Sequence, residues 1–422
     1  MEPIVERFLR YIAIDTQSDE NATTQPSTAK QFDLQQILLA ELTEMGITAT
    51  LDQYGYLMAS IPANAEGDIP PIGFIAHVDT SPDCSGKNIN PQIISNYIGG
   101  DIVLNKDLNI VLSEKMFPEL LNYHNQTLIT TDGTTLLGAD DKAGVAAIMH
   151  AANYIMKHPE IEHGEIKIAF TPDEEVGRGV EHFDVAKFGA KYAYTIDGGE
   201  IGELEYENFN AASATLLIHG TNIHPGYAKG KMINAARIAM EIDSMIPKDE
   251  RPESTENYQG FYHLTAMTAK VEEATMHYII RDHDNDKFQL RKANLTAIAQ
   301  SINDKYGPST VEITITDSYH NMCEMVKPHM HIVEKAMQAM RDCDVVPKVQ
   351  PIRGGTDGAS LSFKGIPCPN IFAGGHNFHG RYEYLPVQSM MKAADVIVRI
   401  ITLFAQDNNY KQIDIQQNNR NI

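Results

Sequence analysis

The sequence predicts an α/β protein that carries an inserted α+β domain. Helical and strand patterns alternate in residues 1–207, and the alternation resumes after residue 320. Between these parts, residues 208–319 follow the order strand, helix, strand, strand, helix, strand, which is typical of the ferredoxin-like split unit. A chain of 422 residues also exceeds the usual size of a single hydrophobic core. We therefore expect a discontinuous first domain, 1–207 and 320–422, and a second domain, 208–319.

The elements of the first domain follow from the spacing of its apolar residues. Helical spacing predicts helices at 4–12, 31–45, 144–157, 332–340 and 390–402, and apolar runs predict strands at 49–51, 57–61, 72–77, 165–170 and 193–197, with short elements at 360–363 and 370–372. Residues 83–125 are polar and rich in Gly, Pro and Asn, so we expect a long loop, which in a compact domain is often functional. The tail from Ala405 is rich in Gln and Asn, and we expect it to be frayed.

The second domain is predicted from the same signals. Strands are expected at 213–218, 262–271, 274–281 and 311–317, and helices at 235–246 and 288–306. These six segments supply the two strand–helix–strand units of a ferredoxin-like fold.

The amino-acid composition argues against several classes of binding partner and cellular location. The formal net charge of −22 opposes binding to nucleic acid or to an anionic membrane surface. The four cysteines share no CxxC spacing, which favours free thiols in a reducing compartment. Charged residues interrupt the apolar residues of the N-terminus, unlike a signal peptide, and no apolar run approaches the length of a membrane span. We therefore expect a cytoplasmic protein.

Acidic residues follow several of the apolar runs. Asp173-Glu174-Glu175 comes directly after one of them, where a buried carboxylate needs a cation or a proton. Three other runs end in the same way, at His77-Val-Asp79, at Asp140-Asp141 and at Asp197. We interpret all four as strand ends that meet at the carboxyl edge of one sheet, where they form a single metal site.

The residue types in this set indicate which metals would bind and which role each residue would have. The predicted ligands, which combine imidazole with carboxylate as in zinc, manganese or cobalt hydrolases, are His77, Asp140, Glu175, Asp197 and His379. Asp140 suits a bridge between two ions, because one carboxylate can offer an oxygen to each. Glu174 suits the general base that takes a proton from water, and Asp79 suits the acceptor that orients the His77 imidazole. His376 is interpreted as structural, since only one of the pair 376/379 is needed. Any one of these residues alone could be structural, and only their conjunction indicates a site.

Five motifs carry a resemblance to a known family. The segments His77-Val-Asp79, Gly138-Ala-Asp140-Asp141-Lys142-Ala-Gly144, Asp173-Glu174-Glu175-Val-Gly177, Asp197-Gly-Gly and Arg353-Gly-Gly-Thr-Asp357-Gly resemble those of the co-catalytic metallopeptidases of the M20 family. The resemblance covers nearly the whole chain. It implies a mixed-sheet zinc-peptidase catalytic domain with an inserted ferredoxin-like lid or dimerisation domain, and it leaves a homodimer open.

The resemblance also implies an activity and individual roles. It implies an aminopeptidase that holds two Zn²⁺ ions, with Mn²⁺ or Co²⁺ as substitutes, and releases the N-terminal residue of tripeptides. One zinc would be bound by His77 and Asp197, the other by Glu175 and His379, with Asp140 bridging, Glu174 as base and Asp79 orienting. In the inserted domain, His224 would help to stabilise the oxyanion, and Arg281 and Arg353 would bind the substrate, with its terminal carboxylate as the expected target.

Two other functions compete with this interpretation. A different M20-type activity, such as dipeptide hydrolysis or N-acyl amino acid deacylation, would use the same metal site and differ only in its pocket. A non-catalytic metal-dependent binding protein would have no need of a water-activating base, yet Glu174 stands beside a predicted ligand. The first alternative stays open at this stage, and the second is disfavoured.

Overall fold

A computed structural model describes residues 3–407 of the chain, so nearly all of the tail predicted from Ala405 lies outside the described residues. The described residues form two compact units. Unit 2 comprises Glu207–Cys323 and Pro351–Gly355, and unit 1 comprises the remainder. Residues 351–355 were expected in the first domain. They belong to unit 2, where the Ile352 N–H donates to Glu207 O at 2.8 Å.

The helices of the described residues match most of the predicted positions. They are α1 (Pro3–Ile12), α2 (Gln31–Glu44), α3 (Ala139–Lys157), α4 (Val185–Phe188), α5 (Ala235–Met245), α6 (Asn285–Tyr306), α7 (Cys323–Val326), α8 (His331–Asp342), α9 (Asp357–Phe363) and α10 (Val387–Ala405). Side-chain caps fix several of their beginnings. Asp284, for example, accepts the Lys287 N–H at 2.9 Å and starts α6.

The strands fall into one large sheet and several small ones. They are β1 (Thr48–Leu51), β2 (Leu57–Ile61), β3 (Ile72–His77), β4 (Gln92–Ile94), β5 (Ile102–Asn105), β6 (Ile110–Leu112), β7 (Leu128–Thr130), β8 (Ile166–Thr171), β9 (Tyr192–Gly198), β10 (Glu203–Glu205), β11 (Asn210–His219), β12 (Phe261–Ala269), β13 (Glu273–Asp282), β14 (Val311–Tyr319), β15 (Lys348–Val349), β16 (Asn370–Phe372) and β17 (Tyr384–Pro386).

Unit 1 is built on a mixed eight-stranded sheet with the order β1-β2-β8-β3-β9-β16-β10-β15. Its centre, β8-β3-β9-β16, is parallel, whereas β1 and β2 pair antiparallel at one side and β10 pairs antiparallel with β16 at the other. Every residue of β3 is buried, as expected for a central parallel strand covered on both faces. Helix α3 packs on β3 and β9. The predicted mixed-sheet α/β class is confirmed.

Unit 2 has the predicted ferredoxin-like order of elements. Its antiparallel sheet has the order β12-β13-β11-β14, and helices α5 and α6 pack against it. Alternating residues of β11 and β13 join apolar residues of the two helices in one core, which includes Leu216, Met276, Ile238 and Leu295. The period of two on each strand therefore directs one face of the sheet to this core.

The expectation of a long loop at 83–125 is wrong. This segment contains β4, β5, β6 and the 3₁₀-helix Pro118–Tyr123. Its buried Ile102, Leu104 and Leu112 belong to a core cluster that also includes Leu128 and Tyr384. β4 joins a three-stranded sheet with β7 and β17, while β5 pairs with β6. The strands have only three or four residues each, so their alternation is too brief to stand out from the polar background.

Candidate metal centre

Three neighbouring parallel strands bring predicted site residues to one edge of the large sheet. β3 ends at His77, β8 ends two residues before Asp173, and Asp197 is the penultimate residue of β9. Because β8, β3 and β9 are parallel neighbours, these strand ends lie together. Such an edge is a common place for a site in α/β proteins.

The prediction that Asp140 stands at the end of a strand is wrong. Asp140 lies in the first turn of helix α3. The N-cap of this helix is Gly138, which has a left-handed backbone, φ +79°. The backbone N–H groups of Leu137 and Gly138 donate to the Glu383 carboxylate instead of to a neighbouring strand. The apolar run before Asp140 therefore has the composition of a buried strand without its hydrogen-bonding partner.

Close packing fixes the beginning of α3 against β9. A Cβ atom built on Gly144 would lie 1.9 Å from the Ile196 carbonyl oxygen and 2.4 Å from Asp141 Oδ1. Only glycine allows this approach, since no side chain of any size fits there. The result is that the Asp140 and Asp141 carboxylates lie beside the strand that carries Asp197.

The Asp140 carboxylate lies between two imidazoles. Its Oδ1 is 2.9 Å from His77 Nε2, and its Oδ2 is 3.2 Å from His379 Nε2. His77 Nε2 is also 3.4 Å from Asp197 Oδ1, and His379 Nε2 is 2.9 Å from Glu175 Oε2. The structure thus brings together all five side chains that the sequence suggested as ligands.

Two overlapping groups in this cluster could each hold an ion. In one group, His77, Asp141 and Asp197 offer ligand atoms that all lie within 4.8 Å of one another, and in the other His77, Asp140 and Glu175 do so. Asp141 was not among the predicted ligands. Its two oxygens already accept hydrogen bonds, from His77 N at 3.3 Å and from Gly144 N at 3.2 Å, which favours a supporting role.

The polar atoms of the cluster fit divalent cations. Glu175 Oε1 is buried and has no hydrogen-bond partner among the described residues, which is costly unless a cation approaches it. Burial raises the pKa of Glu175 to about 8 and that of Asp197 to about 6, with further contributions from nearby carboxylates. Hydrogen bonds to Asp140 and Glu175 raise the pKa of His379 to about 11. A crowded set of carboxylates and imidazole nitrogens is the donor chemistry that zinc and similar metals prefer.

Asp79 connects two ligand-bearing segments. Its carbonyl oxygen lies 3.1 Å from His77 Nδ1, and its Oδ1 lies 3.4 Å from the same nitrogen. Its carboxylate also accepts the backbone N–H groups of Glu174 and Glu175, at 3.1 and 3.2 Å. Asp79 therefore contacts the imidazole, as expected, and in addition fixes the turn that presents both glutamates.

Three buried acids near the cluster had no role in the sequence interpretation. The Asp173 carboxylate accepts a hydrogen bond from Gln31 Nε2 at 2.7 Å. Asp357 accepts one from Thr171 Oγ1 at 2.7 Å, and burial raises its pKa to about 7. Asp173 and Asp357 stand inside the quoted motifs, so position in the motif was the available signal. Glu383 stands outside those motifs and had no such signal.

His376 makes contacts of a structural kind. Its Nε2 lies 2.6 Å from the Tyr123 hydroxyl, and its ring stacks on Tyr384 with 4.8 Å between centroids. Burial lowers its pKa to about 4.

The three predicted substrate-binding residues all belong to unit 2. His224 is exposed, and its Nδ1 accepts the Gly226 N–H at 3.2 Å, which leaves Nε2 to carry the proton of the neutral ring. Within residues 3–407, Arg281 donates through Nη1 alone, to the carbonyl oxygens of Ala212 and Ile280, and its guanidinium lies over the Tyr319 ring.

Arg353 is more heavily engaged than Arg281. Its Nη1 donates to the carbonyl oxygens of Asn257 and Gln259 at 2.6 and 3.1 Å, and its Nη2 donates to Thr255 Oγ1 at 3.1 Å. Its guanidinium also lies 5.1 Å from the centroid of the Phe209 ring. Most of its donors therefore stabilise the loop of residues 255–259.

No helix within residues 3–407 is both long enough and apolar enough to cross a membrane.

Comparisons with known proteins give one family. The family model described as Peptidase family M20/M25/M40 matches residues 131–403. Peptidase T of Listeria innocua serovar 6a is 56% identical over 406 residues, which cover 96% of this chain and 99% of that protein. Peptidase T of Geobacillus thermodenitrificans is 57% identical over 406 residues, with the same coverage of both chains.

Solved structures share the fold. Aminopeptidase PepT of Bacillus cereus superposes with a TM-score of 0.75 at 24% identity and covers 96% of this chain and 99% of its own. A tripeptidase of Staphylococcus aureus gives a TM-score of 0.76 at 22% identity, with 96% and 98% covered. A dinuclear metal-binding peptidase of the M20 family from Bacillus subtilis gives 0.66 at 13% identity, with 96% and 99% covered.

Proposed function

Because the chain belongs to peptidase family M20/M25/M40, as its motifs predicted, we propose that it is a metal-dependent aminopeptidase that releases the N-terminal residue of tripeptides. The family makes it a peptidase and a hydrolase. The proposal of tripeptides is supported by relatives named peptidase T, at 55–57% identity, and by the likeness to a tripeptidase. The proposal of the amino end is supported by the likeness to aminopeptidase PepT.

The observation that carries the proposal is the position of Asp140 between His77 and His379. A carboxylate whose two oxygens face two different imidazoles has the arrangement of a bridge between two ions. We assign His77 and Asp197 to one ion and Glu175 and His379 to the other. Support comes from their mutual distances and from the unpartnered Glu175 Oε1, and from the dinuclear site named for the Bacillus subtilis relative.

Two divalent ions, Zn²⁺ by preference and Mn²⁺ or Co²⁺ as substitutes, would lower the pKa of a water molecule and polarise the scissile carbonyl. Glu174 then takes the proton of the attacking water and transfers it to the leaving amine. Burial, together with the charge of Asp197, raises the pKa of Glu174 well above its ordinary value, so its carboxylate holds a proton readily. Asp79 keeps the base in place through the Glu174 N–H and holds the His77 ring through Nδ1.

Two further residues contact the substrate in this proposal. His224 donates from Nε2 to the oxyanion, which agrees with an Nδ1 that already accepts the Gly226 N–H. Arg281 binds the C-terminal carboxylate of the peptide, because its Nε and Nη2 make no hydrogen bonds among the described residues. Arg353 instead holds the loop of residues 255–259 in this proposal, because its Nη1 donates to two carbonyl oxygens of that loop.

The proposal includes short peptides as partners and a location in the cytoplasm. The four cysteines are free thiols, which suits a reducing compartment. The inserted domain as a lid, and a homodimer, remain predictions. The molecular mass in solution tests the homodimer.

One assay separates the proposal from its alternatives. A tripeptide, the corresponding dipeptide and an N-acetyl amino acid are offered to the metal-loaded protein under the same conditions. We expect kcat/KM for the tripeptide to exceed the other two by at least about tenfold, because a site that reads both termini loses one contact with each alternative. A faster dipeptide or N-acetyl amino acid would assign the chain to another activity of the same family.

A further inference from the structure

The residues around His379 form a hairpin that is closed by its own backbone. The His376 N–H donates to Tyr384 O at 2.9 Å, and the Tyr384 N–H donates to His376 O at 3.1 Å. Inside the hairpin, Asn377 Nδ2 donates to Tyr382 O at 3.2 Å. His379 itself has a left-handed backbone, φ +62°, which is unfavourable for a residue with a Cβ atom. The backbone hydrogen bonds that close the hairpin therefore help to hold His379 in this unfavourable conformation.

Glu383 lies directly before the closing residue and points its carboxylate at another segment. Only 1% of its surface is exposed, and it accepts three backbone N–H groups. Oε2 accepts from Leu137 at 2.6 Å and from Gly138 at 2.8 Å, and Oε1 accepts from Asp140 at 3.1 Å. The same hairpin thus carries one proposed ligand, His379, and binds the backbone of another, Asp140, through Glu383.

This carboxylate does the work of a helix cap. Gly138 stands at the N-cap of α3 and has no side chain that could accept the first N–H groups of the helix. Glu383, far along the chain, accepts one of those donors, the Asp140 N–H, together with the N–H groups of Leu137 and Gly138 just before the helix. Charge-assisted bonds of this kind are stronger than neutral ones, and a negative charge is favoured at the N-terminus of a helix. Few arrangements of the Asp140 backbone would satisfy all three bonds, so its side chain is confined as well.

We infer that Glu383 is the positioning residue of the two-metal site, which holds the Asp140 carboxylate between His77 and His379 by fixing its backbone. The inference rests on the proposed function. It goes beyond that function because Glu383 contacts neither substrate nor metal in this role. A merely structural Glu383 would support the stability of the fold and leave metal affinity unchanged.

The substitution Glu383→Gln tests the role with little change in shape. A glutamine has one acceptor oxygen, so its amide NH₂ must face either the Asp140 N–H or those of Leu137 and Gly138. Glu383→Asp keeps the charge and both acceptors but is shorter by one methylene. Glu41→Gln is the matched control, because Glu41 also accepts several donors, among them Arg7 Nε at 3.1 Å and Tyr11 Oη at 2.9 Å, and ties α1 to α2 away from the ligands.

The measurement is titration of metal-free protein with Co²⁺, followed by calorimetry and by the visible absorbance of bound cobalt. For Glu383→Gln we expect at least one of the two ions to bind about 10- to 100-fold more weakly than in the wild type. Glu383→Asp should lie between, and Glu41→Gln should match the wild type in both affinity and spectrum. Melting of the metal-free proteins shows whether each variant is folded before titration.

Each other outcome counts against a specific statement. Wild-type affinity and spectrum in Glu383→Gln would overturn the positioning role while leaving the proposed function intact. Loss of folding in both Glu383 variants would also overturn it, since Glu383 would then be a general stability residue. A wild-type protein that takes up no Co²⁺ would remove the proposed metal site itself, and the role of Glu383 with it.

Discussion

The carboxylate of Asp173 accepts hydrogen bonds from both the backbone N–H and the hydroxyl of Ser27, at 2.7 and 2.5 Å. Asp173 also has a left-handed backbone, φ +57°, directly before the two glutamates. The first acid of the triplet is therefore fully engaged in holding its own turn. This leaves Glu174 and Glu175 as the two acids available for chemistry.

Glu174→Gln should abolish hydrolysis while leaving the bound metal and the fold nearly intact. The change removes the base but keeps the size of the side chain, and the backbone bond to Asp79 remains. A general base contributes about 10²–10⁴-fold, so kcat should fall by at least that range. Steady-state kinetics and metal analysis check the result, with the exposed Glu181→Gln as control. A variant that retained more than about a tenth of wild-type kcat would exclude Glu174 as the base.

His379→Ala should lower the metal content from about two ions towards one. The His379 imidazole is 2.9 Å from Glu175 Oε2. Its loss leaves the ion assigned to Glu175 and His379 without its nitrogen ligand. Metal analysis after equilibration with Zn²⁺ measures the stoichiometry. His376→Ala is the matched control in the same hairpin, and it should keep two ions and lower only the melting temperature. Unchanged metal content in His379→Ala would reject the assignment.

A tripeptide amide should be a much poorer substrate than the free acid. Losing a charge-assisted contact to the terminal carboxylate costs about 1.5–3 kcal/mol, which is roughly ten- to a hundredfold in kcat/KM. Arg281→Ala should reduce this preference, because the receptor is then absent for both substrates. Arg353→Ala should keep the preference and lower stability, since its donors hold the carbonyl oxygens of Asn257 and Gln259. Equal kcat/KM for acid and amide in the wild type would show that the carboxylate is not recognised.

Glu205 predicts a pH dependence of stability. Burial, assisted by the charge of Glu203, raises its pKa from 4.5 to about 8, although Asn370 donates to it at 2.9 Å. A carboxyl whose pKa is higher in the folded state stabilises the fold fully below pH 4.5, and this contribution is lost as the pH rises through 8.

Glu205→Gln should therefore become progressively more stable than the wild type between pH 5 and pH 8, and the difference should level off above pH 9. The gain should be on the order of 2–5 kcal/mol, since each pKa unit corresponds to about 1.4 kcal/mol. Thermal unfolding across this range measures it. The exposed Glu66→Gln is the control for the chemical change itself. A constant difference for Glu205→Gln would contradict the prediction.

The sequence was most informative where a signal is local. The bounds of β3 were predicted to the residue, because five apolar residues follow Pro71 and are followed by His77. The five predicted ligands could be singled out for the same reason, since each of them stands in a short segment with a recognisable pattern, and the structure brings their side chains together. The family assignment, which used those segments, is confirmed.

The errors arose where the deciding interaction is distant in sequence. Asp140 was assigned to a strand end because the helix that it opens is capped by Glu383, which no local pattern includes. In 83–125, β4 was missed because it depends on pairing with β7, and the turns of this segment use Asn residues with positive φ, such as Asn96 and Asn109. Apolar spacing predicts where a segment buries its side chains, but not which remote group satisfies its backbone.

The order of the chain has a consequence for biosynthesis. β16 pairs with β9 in the middle of the large sheet, yet the whole of unit 2 is translated between them. A nascent chain that has not reached Asn370 holds His77, Asp140, Glu175 and Asp197 but lacks both β16 and His379. Because domains form as the ribosome delivers them, unit 2 can fold before the catalytic sheet is completed. We therefore expect a ribosome-bound chain to stay inactive towards cellular peptides until β16 and His379 have emerged.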